Sequence, residues 1–284
     1  MRATRVRAFV ILTAGGVILA LLVSTVVGLV ESDRSAGAVP PERLPDLDQE
    51  VPSDISVRVD LTQGRRSFQL GFRSAVVNVG AGPLLLDGGR RDTKSADMVV
   101  DQLIDRPGMS RRVVSAVGRM KYAVSKGHQH WHYLGFDRYE LRRAEPLGTS
   151  APLLRDRKTG FCLGDRYRAS GRFPARPPAA PAFTGRCGRN RPDLLRMGEG
   201  MSVGYGDDYS GFLEGQQLPL DGLPNGRYVL VHRVNADAHL EELSYGNNAA
   251  SALLDIQWQH GTPSVRVVAT CPDTDRCDRP ASAA

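Results

Sequence analysis

The sequence predicts a mainly β protein: an antiparallel β-sandwich with long irregular loops, preceded by one N-terminal transmembrane or signal helix. Three observations predict it. Short segments alternate apolar and polar residues, Gly, Pro and Asn separate these segments, and the body of the chain has no long amphipathic helical pattern. With 284 residues, of which 41% are hydrophobic, the chain is large enough to bury a sizeable core.

The N-terminal segment predicts transfer across a membrane. Arg2, Arg5 and Arg7 precede an uncharged apolar run at residues 8–30. This run is long enough to span a bilayer, whereas the apolar part of a cleaved signal is usually about 7–15 residues long. Residues 36–38 nevertheless have the small-x-small pattern of a signal-peptidase site. We therefore favour a membrane anchor and leave cleavage open; in both cases the body is extracytoplasmic.

The chain divides into four predicted segments. These are an anchor or signal at residues 1–30, a polar and proline-bearing linker at 31–50, a β domain at 51–262 and a tail at 263–284 with a small disulfide loop. Alternating or β-prone runs predict strands at residues 55–61, 67–72, 75–80, 84–86, 227–234 and 249–258.

Glycines and prolines mark the predicted connections between strands. Gly80, Gly82, Gly88 and Gly89 predict turns, because no helix follows them and no lysine is placed as a phosphate loop requires. Residues 165–200 are rich in Arg, Pro and Gly and predict a long loop.

The charge pattern argues against nucleic-acid binding. The formal net charge is +6, and four of the 37 basic residues are lysines, which leaves 33 arginines. These arginines are scattered along the chain, whereas a nucleic-acid groove requires basic residues clustered on one face. We predict no nucleic-acid partner.

The cysteines agree with an exported protein. There are four, Cys162, Cys187, Cys271 and Cys277, and no C-x-x-C pair. An even count outside the cytoplasm predicts two disulfides. Pairing between neighbours, Cys162 with Cys187 and Cys271 with Cys277, is the simplest of three connectivities.

The run from His128 to His132 contains three of the six histidines. Because strand side chains alternate, His128, His130 and His132 share one face, and Gln129 and Trp131 share the other. Three imidazoles on one face predict a metal site with open positions, of the kind found in catalytic centres. Cu(II), Zn(II), Ni(II) and Fe(II) all accept such ligands, and the spacing does not select among them.

The run and its surroundings resemble the catalytic domain of lysyl oxidases. The copper-binding segment of that family has the pattern His-x-His-x-His and is followed by a strand ending in Tyr-x-Leu, here Tyr139-Glu-Leu141. The resemblance covers roughly residues 45 to 260. Further matching segments are Lys158-Thr-Gly-Phe-Cys-Leu, Gly200-Met-Ser-Val-Gly204, Asp207-Asp-Tyr209, Asn225-Gly-Arg-Tyr228 and Glu241 through Asn248.

The resemblance implies that His128, His130 and His132 bind Cu(2+), and that Lys158 and Tyr209 form a lysine tyrosylquinone cofactor. The residue types suit this chemistry, since tyrosine alone supplies a phenol that oxidises to an ortho-quinone. An unprotonated lysine amine can add to that ring, whereas arginine stays protonated. A lysine at position 158 is also informative because nearly all other basic residues are arginines.

The implied activity is oxidative deamination of a primary amine, in this family peptidyl lysine, to an aldehyde. Molecular oxygen is the acceptor, and hydrogen peroxide and ammonia are released. A carboxylate must remove a proton from the substrate carbon, and Asp207 and Asp208 adjoin Tyr209. We expect Asp207 to be this base because it occupies the position of the family's aspartate.

Besides a solvated polar face on an edge strand or a chance cluster of histidines, two other interpretations of the histidine run stay open. One is an extracytoplasmic β-sandwich that binds metal or partners without catalysis. The other is a zinc hydrolase, although no second-shell glutamate motif is evident.

The chain also departs from the family: animal members have more cysteines, and residues 165–199 show no close resemblance. These departures bear on substrate access and specificity, and the amine substrate and the oligomeric state stay open.

Overall fold

The computed structural model describes residues 41–125, 128–144, 152–155, 160–213 and 215–277. These residues form 17 strands, all paired antiparallel, and no helix, which confirms the prediction of a mainly β, antiparallel protein. The strands are β1 Leu47–Gln49, β2 Ser53–Thr62, β3 Arg65–Asn78, β4 Leu84–Gly89, β5 Asp97–Ile104, β6 Arg112–Ser125, β7 His128–Leu134, β8 Asp137–Arg143, β9 Pro152–Arg155, β10 Gly160–Phe161, β11 Tyr167–Arg168, β12 Arg196–Met201, β13 Tyr205–Tyr209, β14 Gln217–Pro219, β15 Gly226–Val234, β16 Ala249–Gln259 and β17 Thr262–Cys271.

The strands form three sheets. The first has the order β1-β3-β13-β11, with β2 and β14 also paired to β3; the second has the order β10-β7-β6-β5-β4-β12, and the third β17-β16-β15-β8-β9. Whether two of them stack face to face as a sandwich stays a prediction.

The strands predicted at residues 55–61, 227–234 and 249–258 agree with β2, β15 and β16. Two other predictions, in the first and second sheets, differ from the structure. The predicted strands at 67–72 and 75–80 are one continuous strand, β3. The predicted turn at Gly88 and Gly89 is wrong, because both residues lie in β4 and pair with β12. A side chain at Gly88 would come within 2.6 Å of Met120 Sδ, so this glycine permits close packing inside the sheet.

The described part of the predicted linker belongs to the folded body. Leu47 is fully buried, and β1 pairs with the end of β3. Glu242 fixes this strand, since its Oε2 accepts a hydrogen bond of 2.7 Å from the Leu47 N–H. At the other end of the chain, β17 begins at Thr262 and pairs with β16, so the first part of the predicted tail is also strand.

Most of the core is one large cluster of apolar side chains drawn from the three sheets, and a smaller second cluster contains Val229, Val231, Leu253 and Cys277. The largest fully buried members of the large cluster include Phe72 on β3, Trp131 on β7, Tyr139 on β8 and Tyr228 on β15. Complete burial of a ring such as Phe72 contributes about 2–3 kcal/mol relative to exposure.

The predicted anchor at residues 8–30 lies outside the described residues and stays a prediction. Among the residues that are described, none belongs to a helix with the length and apolar character needed to cross a bilayer.

Candidate active site

The three histidines lie together on one face of β7. This strand pairs with β6 in a register that places His128 opposite Ser125 and His132 opposite Lys121. The ring centroid of His128 is 5.6 Å from that of His130 and 5.5 Å from that of His132, and the last two are 4.6 Å apart. On the opposite face, Trp131 is buried in the core and holds the strand in place.

Two imidazole nitrogens of this triad lie close together, although the three side chains as placed do not form a metal site. The Nε2 atoms of His130 and His132 are 2.8 Å apart. Imidazole nitrogens bind ions of the copper or zinc type at about 2.0–2.1 Å, so two nitrogens at this separation can serve as adjacent ligands. The same distance also suits an N–H···N hydrogen bond. Within the described ranges, no group of three His, Cys, Asp or Glu side chains has an arrangement that could hold a metal ion.

Tyr209 is the last residue of β13 and is almost fully buried. Its hydroxyl oxygen accepts a hydrogen bond of 2.8 Å from the Cys162 N–H. Its ring packs edge-on against Phe161, with centroids 4.5 Å apart, and the Arg166 guanidinium carbon lies 5.4 Å from the ring centroid. Burial raises the pKa of this phenol well above its ordinary value, so the hydroxyl is protonated at neutral pH.

Asp207 and Asp208 lie on opposite faces of β13. Asp207 shares the buried face with Tyr209, accepts a hydrogen bond of 3.1 Å from the Gly164 N–H and pairs with the Arg166 guanidinium. Asp208 points away and accepts a 2.9 Å hydrogen bond from Arg73. Burial raises the pKa of Asp207 to about 7, and the attraction of Arg166 opposes part of that rise.

The segment after β10 joins the histidine sheet to the tyrosine strand. Phe161 pairs with Tyr133 on β7, and the next residue, Cys162, holds the Tyr209 hydroxyl. Cys162 also forms the predicted disulfide with Cys187, and the second predicted disulfide, Cys271–Cys277, is present as well. The first bridge fixes the loop around Cys187 beside the site.

One cavity of about 360 Å³ is lined by three of the predicted site residues, whereas His132 and Asp207 are not among its described lining residues. His128 and His130 line it on the β7 side, and Tyr209 lines it on the β13 side. Its other described lining residues are Arg166, Thr184, Gly185, Arg186, Arg189 and Leu213. Two histidines of β7 and a buried phenol of β13 therefore line the same cavity.

Lys158 lies outside the described residues, so its predicted role stays a prediction. Gly160, two residues further along the sequence, packs directly on the triad. A Cβ atom at Gly160 would be 3.0 Å from the His132 Cβ, so this position accepts no larger residue without displacement.

Several residues of the site had no signal in the sequence. Arg166, which contacts both Asp207 and Tyr209, is one arginine among 33. Glu199 is fully buried behind Asp207, and its Oε2 accepts a hydrogen bond of 3.1 Å from the Leu163 N–H. Burial raises the pKa of the Glu199 carboxyl well above its ordinary value.

The comparison with protein families agrees with this geometry. A family model described as lysyl oxidase matches residues 108–268, which is more than half of the chain. The matched range contains the histidine triad, Lys158, Asp207 and Tyr209. No curated protein matches the chain.

Proposed function

The chain belongs to the lysyl oxidase family, and from this premise we propose that it oxidises the side-chain amine of peptidyl lysine. Family membership implies copper-dependent amine oxidation in general. The proposed overall reaction converts a primary amine, oxygen and water into an aldehyde, ammonia and hydrogen peroxide. The observation that carries the proposal is the single cavity lined by His128, His130 and Tyr209.

In this proposal the metal is Cu(2+) and its ligands are His128, His130 and His132. The supporting facts are the shared face of the imidazoles and the 2.8 Å separation of two Nε2 atoms. Copper together with the tyrosine-derived cofactor supplies the two-electron oxidation of the amine and its coupling to oxygen. The contribution of the chain is to place imidazole ligands near the phenol of Tyr209.

The proposed cofactor is the cross-link between Lys158 and Tyr209. The fixed position of the phenol supports it: Cys162 holds the hydroxyl, Phe161 contacts one part of the ring and Arg166 another. A ring held in this way presents one orientation to the cavity, which favours modification at one carbon over random oxidation. Arg166 is also placed to stabilise negative charge that develops on the ring oxygen.

We propose Asp207 as the base that removes the substrate proton. The Asp207 carboxyl must be ionised to accept a proton, and its ionised fraction rises as the pH increases through its pKa. We therefore expect kcat/KM to rise with pH and to reach half its plateau near pH 7. The charged and titratable groups around Asp207 are Arg166, Glu199, Asp208 and Tyr209. Asp207→Asn should lower kcat by about 100- to 10,000-fold, measured as peroxide release across pH 5 to 9.

The matched control for this substitution is Asp208→Asn. The Asp208 carboxylate pairs with Arg73 on the other face of β13, so the rise near pH 7 should persist in this variant. An Asp207→Asn variant that keeps both the rate and the pH profile would remove Asp207 from the role of base.

The direct test of the function is made on the full chain, purified, loaded with Cu(2+) and exposed to air. Peptide mapping should recover one cross-linked peptide containing Lys158 and Tyr209, and a primary amine such as cadaverine should yield peroxide. A protein that binds copper but forms neither cross-link nor peroxide is a non-catalytic metal-binding module, and the proposal is then wrong.

A further inference from the structure

One wall of the cavity is strongly basic. Arg166, Arg186 and Arg189 line it, and none of the described lining residues is an aspartate or glutamate. A primary amine of ordinary pKa, about 10.4, is a cation at neutral pH. The wall therefore repels a simple alkylamine, although the family chemistry requires an amine to enter.

The three arginines differ in how their charge is compensated. Arg166 pairs with Asp207 and lies over the Tyr209 ring, so its charge is used inside the site. Arg186 and Arg189 are exposed, and neither has an ion pair with a carboxylate in the described part of the chain. Nearby, Arg191 does have such a partner in Asp193. Two guanidinium groups at the cavity are thus available to a ligand.

The backbone that carries these two arginines is fixed. Between them, Cys187 is bonded to Cys162, and its carbonyl accepts a hydrogen bond of 2.8 Å from the Trp131 N–H on β7. The Arg189 N–H donates to the Arg186 carbonyl at 2.9 Å, which closes a tight turn. A fixed backbone reduces the entropy lost when the guanidinium groups bind a ligand, so the loop is suited to recognition.

We propose that Arg186 and Arg189 bind carboxylates next to the reacting lysine, so that the substrates are lysyl side chains in acidic peptide sequences. This inference rests on the proposed function and names its substrate class. Guanidinium groups bind carboxylates through paired N–H···O hydrogen bonds. Acidic neighbours would also offset the repulsion between the wall and the incoming ammonium group.

The test compares two acetylated and amidated peptides that differ only in charge: one lysine flanked on each side by two glutamates, and the same peptide with glutamines. With the copper-loaded full chain, the acidic peptide should show a kcat/KM about tenfold higher at about 50 mM salt, and the ratio should shrink at about 500 mM salt. In Arg186→Gln/Arg189→Gln the ratio should fall to about twofold or less. Equal rates for the two peptides, or a ratio unchanged in this variant, would overturn the proposal.

The matched control is Arg65→Gln/Arg66→Gln, which removes the same charge from exposed positions at the start of β3. It should keep the full preference; if it loses the preference as well, the effect is one of net charge and the proposal is wrong. Binding is measured separately, by fluorescence anisotropy of labelled peptides. An acidic preference in binding that depends on Arg186 and Arg189, without any peroxide from cadaverine or peptide, supports this recognition site and rejects the proposed oxidase.

Discussion

Tyr209→Phe is expected to abolish amine oxidation, with a loss of kcat of at least about a thousandfold. In the proposed cofactor, oxidation of the ring begins from the Tyr209 hydroxyl, so the variant would have no route to the cross-link with Lys158. Peroxide release should fall to background, and a quinone redox-cycling stain on a denaturing gel should be negative. Peptide mapping should recover the peptides containing positions 158 and 209 as separate, unmodified species.

The stability of this variant must be measured together with its activity. The Tyr209 hydroxyl accepts the hydrogen bond of the buried Cys162 N–H, and an unsatisfied buried donor costs about 1–3 kcal/mol. Thermal unfolding followed by circular dichroism should therefore show a moderate decrease in Tm, while the spectrum of the folded variant stays that of the wild type.

The control for Tyr209→Phe is the same substitution four residues earlier on the same strand. Tyr205 is buried on β13, and its hydroxyl donates to the Pro178 carbonyl at 3.2 Å, away from the described lining of the cavity. Tyr205→Phe should keep the stain and most of the activity. Lys158→Arg should fail as Tyr209→Phe does, because a guanidinium does not add to the oxidised ring. Activity of Tyr209→Phe within tenfold of the wild type would contradict the proposed cofactor.

His130→Ala is expected to remove copper from the protein and to stop formation of the cofactor. His130 lines the cavity, and its Nε2 lies 2.8 Å from that of His132. Loss of an outer-sphere partner lowers metal affinity by 10- to 100-fold, so loss of a direct ligand should lower it by more than about 100-fold. Copper content after dialysis, measured by atomic absorption, should fall from about one ion per chain to near zero.

A second readout does not depend on turnover. Because the proposed cofactor forms only with the metal present, the Tyr209 peptide of His130→Ala should have its unmodified mass. His239→Ala is the control, since His239 is an exposed histidine outside the triad, and it should retain both the copper and the cross-link. Stoichiometric copper together with an intact cross-link in His130→Ala would rule out His130 as a ligand.

Some of the strands and the histidine face were predictable from the sequence because their signals are local, whereas strands such as β5, β6 and β12 were not predicted. Alternation at residues 55–61 is enough to indicate β2, and the i, i+2 spacing places His128, His130 and His132 on one face. The disulfide pairs agreed with the simplest connectivity. The convergence of Tyr209 with this face is not a local property, and only the resemblance to a family predicted it.

Other parts of the site could not be predicted because their determinants lie in the backbone or in common residues. The Cys162 N–H that holds Tyr209 has no side-chain signature. Arg166, Arg186 and Arg189 are indistinguishable in the sequence from thirty other arginines. The pairing of β1 with β3 joins residues about 30 positions apart, and the polar, proline-bearing composition of residues 31–50 concealed it.

Cys162 links two events in the maturation of the protein. Its backbone N–H donates a hydrogen bond to the Tyr209 hydroxyl, and its sulfur forms the disulfide with Cys187 that restrains the loop carrying Arg186 and Arg189. If the thiols remained reduced, the proposed copper ligands would thus lie near a less restrained Tyr209 ring and a less restrained loop at Arg186 and Arg189. We expect thiol oxidation to precede productive metal loading, so that a copper-rich but reducing compartment yields inactive protein.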